Sequence, residues 1–541
     1  MTISKYTVYL RTGRAKYYLL ISLVFLSASQ VMTGASRSWG AEQAVHFDIN
    51  AFEVYDNTVL SEDEVRGALE GMMGETKTVA DVEKARDALE KFYHKKGYIS
   101  VSVNIPEQSV DEGTVKFQVI ENRVGKVTVS DNRYFTRERL LKDLPSLNPG
   151  EILYGPSIEK EINKLNSTAD LKVTPILMPG KEPGTVDVEL KVQDKAALHG
   201  SLELSNNYSP NTTPLRLNAV IHYDNLWQAD HTVSLQYQMS PNDTNQVEVF
   251  AGSYVLPVPW RPEDRFAVYG VLSDSNSAFG EGFHTVGKGD IIGARYVVSL
   301  PSYKAYANAV TIGFDYKDFM DATGLGQNST IKTPVTYLPL SIAYSSSLTD
   351  KWGLTVFSSG VNMVFRGLVT NQEQFENKRF EGEGDYIYAT AGVERSKKLP
   401  GNTKLYVKID GQVSDQPLIN NEQYAAGGID SVRGYKLSES LGDEAFHGIT
   451  EFSAPELVEL TGLTNKFMLT PYVFFDYADL RILNPLPSQQ ENIEIYSTGS
   501  GVRGNCTKWL EYDVGVALAL VGTVYTPRDT VTAYFKVKSS F

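Results

Sequence analysis

From about His199 to Phe541 the chain alternates apolar and polar residues with a period of two. Val233, Leu235, Tyr237 and Met239 interleave with Ser234, Gln236, Gln238 and Ser240. Leu405, Val407, Ile409 and Val413 interleave with Tyr406, Lys408, Asp410 and Gln412, and Phe467, Leu469, Val473 and Phe475 with Lys466, Thr470, Tyr472 and Asp476. This pattern predicts strands with one apolar and one polar face. It fits either a soluble sandwich or a barrel with a lipid face and a wet face. About 343 residues is too long for one sandwich. Segments of about ten residues are long enough to cross a tilted bilayer path. Connections alternate between short ones, such as Asp224 to Asp230 and Leu256 to Glu263, and long ones, such as Asp415 to Asp443. Sixteen strands are expected, beginning near residues 199, 214, 231, 244, 264, 288, 306, 335, 353, 386, 403, 444, 466, 493, 508 and 530. The expected fold over 198–541 is therefore a 16-stranded transmembrane antiparallel β-barrel. Closure removes every edge, and this size leaves an aqueous lumen. Lys408, Asp410, Lys466, Asp476, Lys536 and Lys538 should face that lumen.

Ahead of the barrel the period changes to that of helices and short strands. Phe47 to Val54 reads as a strand. Ser61 and Glu64 form a capping box that opens a helix. A second helix from about Thr78 carries Val82, Ala85, Ala88, Leu89, Phe92 and Tyr93 on one stripe, with Gly97 at its C-cap. Strands Ile99 to Ile105 and Thr114 to Ile120 follow. The order then recurs, with a strand at Val124 to Ser130, helices opened by Thr136 and by Gly155-Pro156, and strands Leu171 to Met178 and Thr185 to Val192. Gly113-Thr114-Val115 and Gly184-Thr185-Val186 mark equivalent points of the repeat. Two α+β modules of β-α-α-β-β order are expected, at 46–122 and 123–195.

The first 35 residues read as an export signal. Lys5, Arg11, Arg14 and Lys16 precede an apolar stretch from Tyr17 to Ala28, and cleavage is expected after Ala35 or Ala41. Past this stretch no apolar run is long enough for a membrane helix. The 541 residues carry 51 Lys and Arg against 65 Asp and Glu, a net charge of −14, which argues against a general nucleic-acid binder. The single cysteine, Cys506, excludes an internal disulfide framework. The region from Phe47 to about Asp194 carries no Gly-rich phosphate loop, HExxH or GxSxG motif, and no paired catalytic carboxylates stand out in the chain. Its seven histidines are scattered along the sequence. No enzyme activity, catalytic residue, metal or cofactor is expected.

The longest connection contains Gly427-Gly428-Ile429-Asp430-Ser431-Val432-Arg433-Gly434-Tyr435 and leads into a strand with Glu451. Val432 to Tyr435 resembles the VRGY loop-six motif of the outer-membrane transporters that share ancestry with BamA. In the next strand Phe474-Phe475-Asp476 resembles that superfamily's F-x-D-x-G motif, with Ala478 in place of the final Gly. Two exported modules before the barrel narrow the likeness. The chain resembles the TpsB family of two-partner secretion transporters, the FhaC and haemolysin-secretor type, in which such modules are POTRA domains.

The resemblance implies an outer-membrane pore, with periplasmic POTRA domains, that moves one large exoprotein to the cell surface. The expected partners are an unfolded secreted TpsA-type exoprotein, outer-membrane lipid, and the barrel assembly machinery during biogenesis; a monomer is expected, without nucleic acid. Loop six, at 415–443, should fold into the lumen and place Arg433 against Asp476, with Gly434 permitting the bend and Tyr435 bracing it. Phe541 is the expected barrel assembly signal and also suits the aromatic girdle at the membrane interface. Substrate should add to an open sheet edge, Ile99 to Ile105 or Leu171 to Met178. Many family members carry a plug helix before the first module; about ten residues between Ala35 and Phe47 cannot form one plus a linker. Loop six alone is therefore expected to obstruct the pore, with high resting conductance. The competing reading is a BamA- or TamA-like assembly factor, though such relatives usually carry more POTRA modules. A passive porin would leave both the modules and the loop unexplained.

Overall fold

A computed structural model describes residues 46–110, 112–274, 288–303, 305–324, 330–457 and 468–541. The export signal, Lys466 and Phe467 lie outside these residues. The chain divides into two compact units, one made of residues up to Lys96 with Val101–Glu121, the other of Gly97–Ser100 with Asn122–Phe541.

The first unit contains β1 (Phe47–Ile49), β2 (Ala51–Tyr55), α1 (Glu62–Leu69), β3 (Gly74–Lys77), α2 (Val79–Lys96), β4 (Val101–Asn104) and β5 (Thr114–Glu121). Ser61 and Glu64 cap α1 reciprocally, each side chain accepting the other's backbone N–H. At the start of α2, Thr78 donates its hydroxyl and backbone N–H to Asp81, which holds that carboxyl at about 2. The segment read as one strand, Phe47 to Val54, is two. It breaks at Asn50, whose N–H bonds the Gly113 carbonyl at 2.8 Å. β1 pairs with the short β3 between the helices, while β2 joins β5 and β4 in the order β2-β5-β4. β3 was not expected, because Gly74-Glu75-Thr76-Lys77 carries no apolar alternation. It exists as a backbone partner for β1.

The second unit opens with β6 (Arg123–Ser130), α3 (Arg137–Lys142), α4 (Gly155–Leu165), β7 (Leu171–Pro179) and β8 (Thr185–Asp194). Its three strands form one sheet in the order β6-β8-β7. Leu140, Leu153, Ile158 and Ile162 from the helical side pack on Val173, Val188 and Leu190 from the sheet. Only three residues separate β8 from the first barrel strand.

The barrel strands are β9 (Leu198–Ser205), β10 (Arg216–Leu226), β11 (His231–Met239), β12 (Glu248–Val258), β13 (Arg261–Ser273), β14 (Gly289–Ser299) and β15 (Tyr306–Gly324). Next come β16 (Thr330–Tyr337), β17 (Leu340–Asp350), β18 (Gly353–Met363), the loop helix α5 (Gln372–Lys378), β19 (Ile387–Lys398) and β20 (Lys404–Ser414). A loop hairpin of β21 (Tyr424–Ala426) and β22 (Ser440–Gly442) precedes β23 (Glu444–Ser453), β24 (Thr470–Arg481), β25 (Asn492–Thr507), β26 (Leu510–Ala519) and β27 (Val531–Ser540). β16 and β17 both pair with β15 and are one strand interrupted at Leu338-Pro339, so the closed antiparallel barrel has sixteen strands. Pro339 has no N–H to give the ladder. The strand expected from 335 therefore starts earlier, at Thr330.

Alternate residues point outward and are apolar. Leu204, Ile221, Leu235, Phe250, Ile312 and Phe475 are all exposed. Closure is by β27 against β9, with Lys536 opposite Ser205 and Ser540 opposite Ser201. Four of the five tryptophans in the sequence (Trp227, Trp260, Trp352 and Trp509) lie exposed in the short turns at one end of the barrel. They set the level of one membrane interface, where an aromatic ring has an apolar body and a polar tip to satisfy.

Candidate functional site

The chain leaves β20 and returns at β23 through residues 415–443, the sixth connection at the end opposite the tryptophans. Its central hairpin, β21 with β22, pairs Tyr424 with Gly442 and Ala426 with Ser440. Beyond β21 the backbone turns sharply at Gly427 (φ 108°) and Gly428 (φ 103°). A Cβ on Gly427 would lie 2.3 Å from the Lys436 carbonyl oxygen, so no other residue fits there. The tip is held to the connection between β9 and β10 and to the last strand. Ile429 N–H donates to the Asn207 side chain at 3.1 Å, and Leu437 N–H to the Tyr208 carbonyl at 2.9 Å. Asp430 meets Lys536 of β27 at 3.0 Å.

Arg433 is buried on the inner wall. Its Nε and one terminal nitrogen donate to the two Asp476 carboxylate oxygens, both at 2.7 Å, and its backbone N–H reaches the same carboxylate at 3.1 Å. The other terminal nitrogen donates to Glu451 at 2.9 Å. The guanidinium plane lies over the Phe474 ring, 3.5 Å from its centroid. A fork-shaped cation satisfies two carboxylates and a ring face together, which a lysine cannot do. Asp476 reaches Arg433 because its strand alternates: Tyr472, Phe474, Asp476 and Ala478 are buried, while Val473 and Phe475 are exposed.

The neighbouring motif residues pack around that pair. Gly434 has φ 96°, and a Cβ there would sit 3.1 Å from the Ala517 methyl. Val432 and Tyr435 are buried against Ala478, Leu480, Ile495 and Ala519. The Tyr435 hydroxyl lies between the carbonyls of Tyr496 (3.0 Å) and Val521 (2.8 Å) and accepts the Val521 N–H. Ala478, where the superfamily pattern has Gly, puts its methyl group into this cluster. Phe541 stands at the closing seam, exchanging backbone hydrogen bonds with Gly200 at 3.0 and 3.3 Å. Its ring lies against the Gly200 backbone, where a Cβ would come within 2.5 Å of it. Of the charged residues expected in the lumen, Asp410 bonds Tyr424 of the loop and His447, and Lys536 bonds Asp430.

Several residues of the site were not identified from sequence. Arg503 on β25 donates to Glu451 at 2.8 Å, so Glu451 sits between two arginines. Strand parity was the available signal, since Glu451 and Arg503 are charges in otherwise apolar-alternating segments. The loop's two roots are also fixed. Glu422 is buried and accepts from Lys317 (2.6 Å), Tyr337 (2.5 Å) and Tyr388 (2.9 Å). Asp443 is buried and accepts from Leu418 N–H (2.8 Å), Leu483 N–H (2.7 Å), Gln423 (2.9 Å) and Arg379 (3.2 Å). Leu418 and Ile419 pack with Phe375 of α5 and Tyr386. Nothing in a linear reading pairs residues a hundred positions apart. Among the described residues His199, His222 and Asp224 form a group with metal-ligand spacing, at the tryptophan end of the barrel.

Residues 47–122 match the model described as POTRA domain, ShlB-type. Residues 329–504 match the model for the haemolysin secretion/activation protein ShlB/FhaC/HecB family. A heme/hemopexin transporter protein, HuxB, of Haemophilus influenzae is 21% identical over 81% of this chain and 76% of its own length. The outer membrane transporter CdiB of Dickeya dadantii is 20% identical over 93% of this chain and 88% of its own. The solved structure of CdiB from Escherichia coli superposes with a TM-score of 0.62, at 17% identity, covering 94% of this chain and 93% of that one. These likenesses and the fold define an outer-membrane β-barrel with an N-terminal periplasmic POTRA domain. Within that class the chain resembles the TpsB-type transporters of two-partner secretion.

Proposed function

We propose that this protein translocates one specific large exoprotein from the periplasm to the cell surface, with the POTRA region capturing the unfolded chain and loop six occupying the pore. The observation that carries the reading is Arg433, held in the lumen by Asp476 and Glu451 at the tip of a loop whose roots lie at the opposite rim. A buried bidentate pair is strong enough to define a resting position. It is made of groups that water or a passing polar chain can satisfy in exchange. HuxB is named for heme and hemopexin, and CdiB as an outer membrane transporter. By analogy the cargo here is a TpsA-type exoprotein.

Residues 123–195 act in this reading as a second POTRA domain, supported by their β-α-α-β-β order. Substrate capture is by β-augmentation. β4 and β7 are both edge strands of their sheets. β7 is the better candidate, being nine residues long with Ile176, Leu177 and Met178 exposed. An exposed apolar edge is a hazard unless a partner uses it. Folding of the cargo outside the cell supplies the driving free energy. Arg433, Asp476 and their neighbours position the loop, and no residue acts as a catalyst. Phe541 serves as the barrel assembly signal.

The test compares secreted and outer-membrane proteins with and without this gene. Loss of one large exoprotein with other barrels intact supports the proposal. General loss of outer-membrane proteins would identify a BamA- or TamA-like assembly factor instead.

A further inference from the structure

At the tryptophan end of the barrel, four ligand-type side chains from three elements converge. His199 lies on β9 directly opposite His222 on β10. Asp224 follows two residues on, on the same face. Asp170 precedes β7 in the 123–195 module and is buried. His199 Nε2 is 2.7 Å from Asp170 Oδ2 and 3.8 Å from Asp224 Oδ2, and His222 Nε2 is 3.3 Å from that same Asp224 oxygen. The two imidazole rings lie 5.1 Å apart, tilted by 32°. The ligand atoms of His199, His222 and Asp224 all fall within 4.8 Å of one another.

We infer that His199, His222 and Asp224 form a binding site for a divalent transition-metal ion of the Zn²⁺ class on the first two barrel strands, with Asp170 of the 123–195 module orienting His199. Metal–ligand bonds of about 2.0–2.2 Å in a tetrahedron put neighbouring donors roughly 3.3 Å apart. The separations of Asp224 from His199 and His222, 3.8 and 3.3 Å, lie within about half an ångström of that value. Two neutral imidazoles and one carboxylate suit a borderline ion rather than Ca²⁺ or Mg²⁺, which prefer oxygen alone.

The surroundings are built for the role. Thr232 donates to the other Asp224 oxygen at 3.1 Å, leaving Oδ2 aimed at the histidines. Such an outer hydrogen bond orients a ligating carboxylate. Asp224 N–H is fixed on the Ala197 carbonyl at 2.9 Å, and the Asp170 carbonyl accepts Lys195 N–H at 2.9 Å. Those bonds pin both ends of the link between module and barrel to the site. The side chains of His199, His222 and Asp224 are each about one-third exposed, which gives an ion a way in. A bound ion would fix His199 and, through the His199–Asp170 contact, tie the module to the barrel, beside the Arg139–Asp230 ion pair and the Gln228 contacts to Tyr134 and Thr136.

The test is titration of the purified full-length protein with Zn²⁺ in competition with a chromophoric chelator. A Co²⁺ titration, read by the intense visible absorption of a tetrahedral site, accompanies it. One equivalent should bind. His199→Gln/His222→Gln, which keeps polar groups in place, should abolish binding while the barrel stays heat-modifiable. Asp170→Asn should weaken binding by about tenfold or more. The proposal is overturned if no single equivalent binds, if the double variant binds as tightly as wild type, or if Asp170→Asn has no effect.

Discussion

Arg433 and Asp476, 43 residues apart in sequence, share two hydrogen bonds of 2.7 Å on the inner wall of the barrel. Neither side chain is appreciably exposed. Removing one partner of a buried ion pair leaves the other charged and unpaired, which costs about 3–5 kcal/mol. That penalty falls on the loop's docking rather than on the strand ladder. Arg433→Ala should therefore give a folded, heat-modifiable barrel in normal amounts with secretion greatly reduced. Arg433→Lys should rescue little, because a point charge cannot fork between Asp476 and Glu451. Normal export by either variant would remove the loop from the mechanism.

The two carboxylates around Arg433 are unequal. Asp476 receives three donors from Arg433 alone, whereas Glu451 also receives Arg503. Asp476→Asn places an amide N–H₂ against the guanidinium and should impair secretion more than Glu451→Gln does. Equal loss in a quantitative secretion assay would mean that the cluster acts only through its total charge.

Gly434 supplies a left-handed backbone with a close neighbour in Ala517. Gly434→Ala should destabilise the docked tip by about 1–2 kcal/mol, without affecting barrel assembly. Limited proteolysis in the loop should be faster in this variant, and unchanged cleavage would count against a strained tip.

Glu422 joins Lys317, Tyr337 and Tyr388 at the loop's root. Glu422→Ala strands a buried lysine. Loop six should then become cleavable by protease added outside whole cells, while Arg433→Ala alone should expose the tip less. The comparison separates root from tip.

Deleting residues 47 to 121 removes one compact unit together with its sheet edge β4, and leaves β7 in place. The barrel should still insert, and cargo pull-down from periplasmic extracts should weaken but persist. Complete loss of capture would place recognition in the first unit rather than at β7.

The architecture was more legible than its exceptions. Period-two alternation identifies strands well because the bilayer on one side and water on the other impose it on every residue. Its failure at Leu338-Pro339 came from a missing N–H, and β3 escaped because its pairing uses backbone alone. Arg433 and Asp476 were legible through motif and parity together. Glu422, Asp443 and Arg503 were not, since their meaning lies in partners far along the chain. The histidines looked scattered for the same reason. His199 and His222 are neighbours only across the β9–β10 register.

The two roots at Glu422 and Asp443 turn loop six into a tether of fixed reach. With both ends held, a tip released from Asp476 can travel about 30 Å from the rim before the chain is taut. That is comparable to the hydrocarbon thickness of a bilayer. A displaced loop could thus clear the lumen completely, yet it would remain leashed to its own barrel and could return to the same carboxylate after each passage.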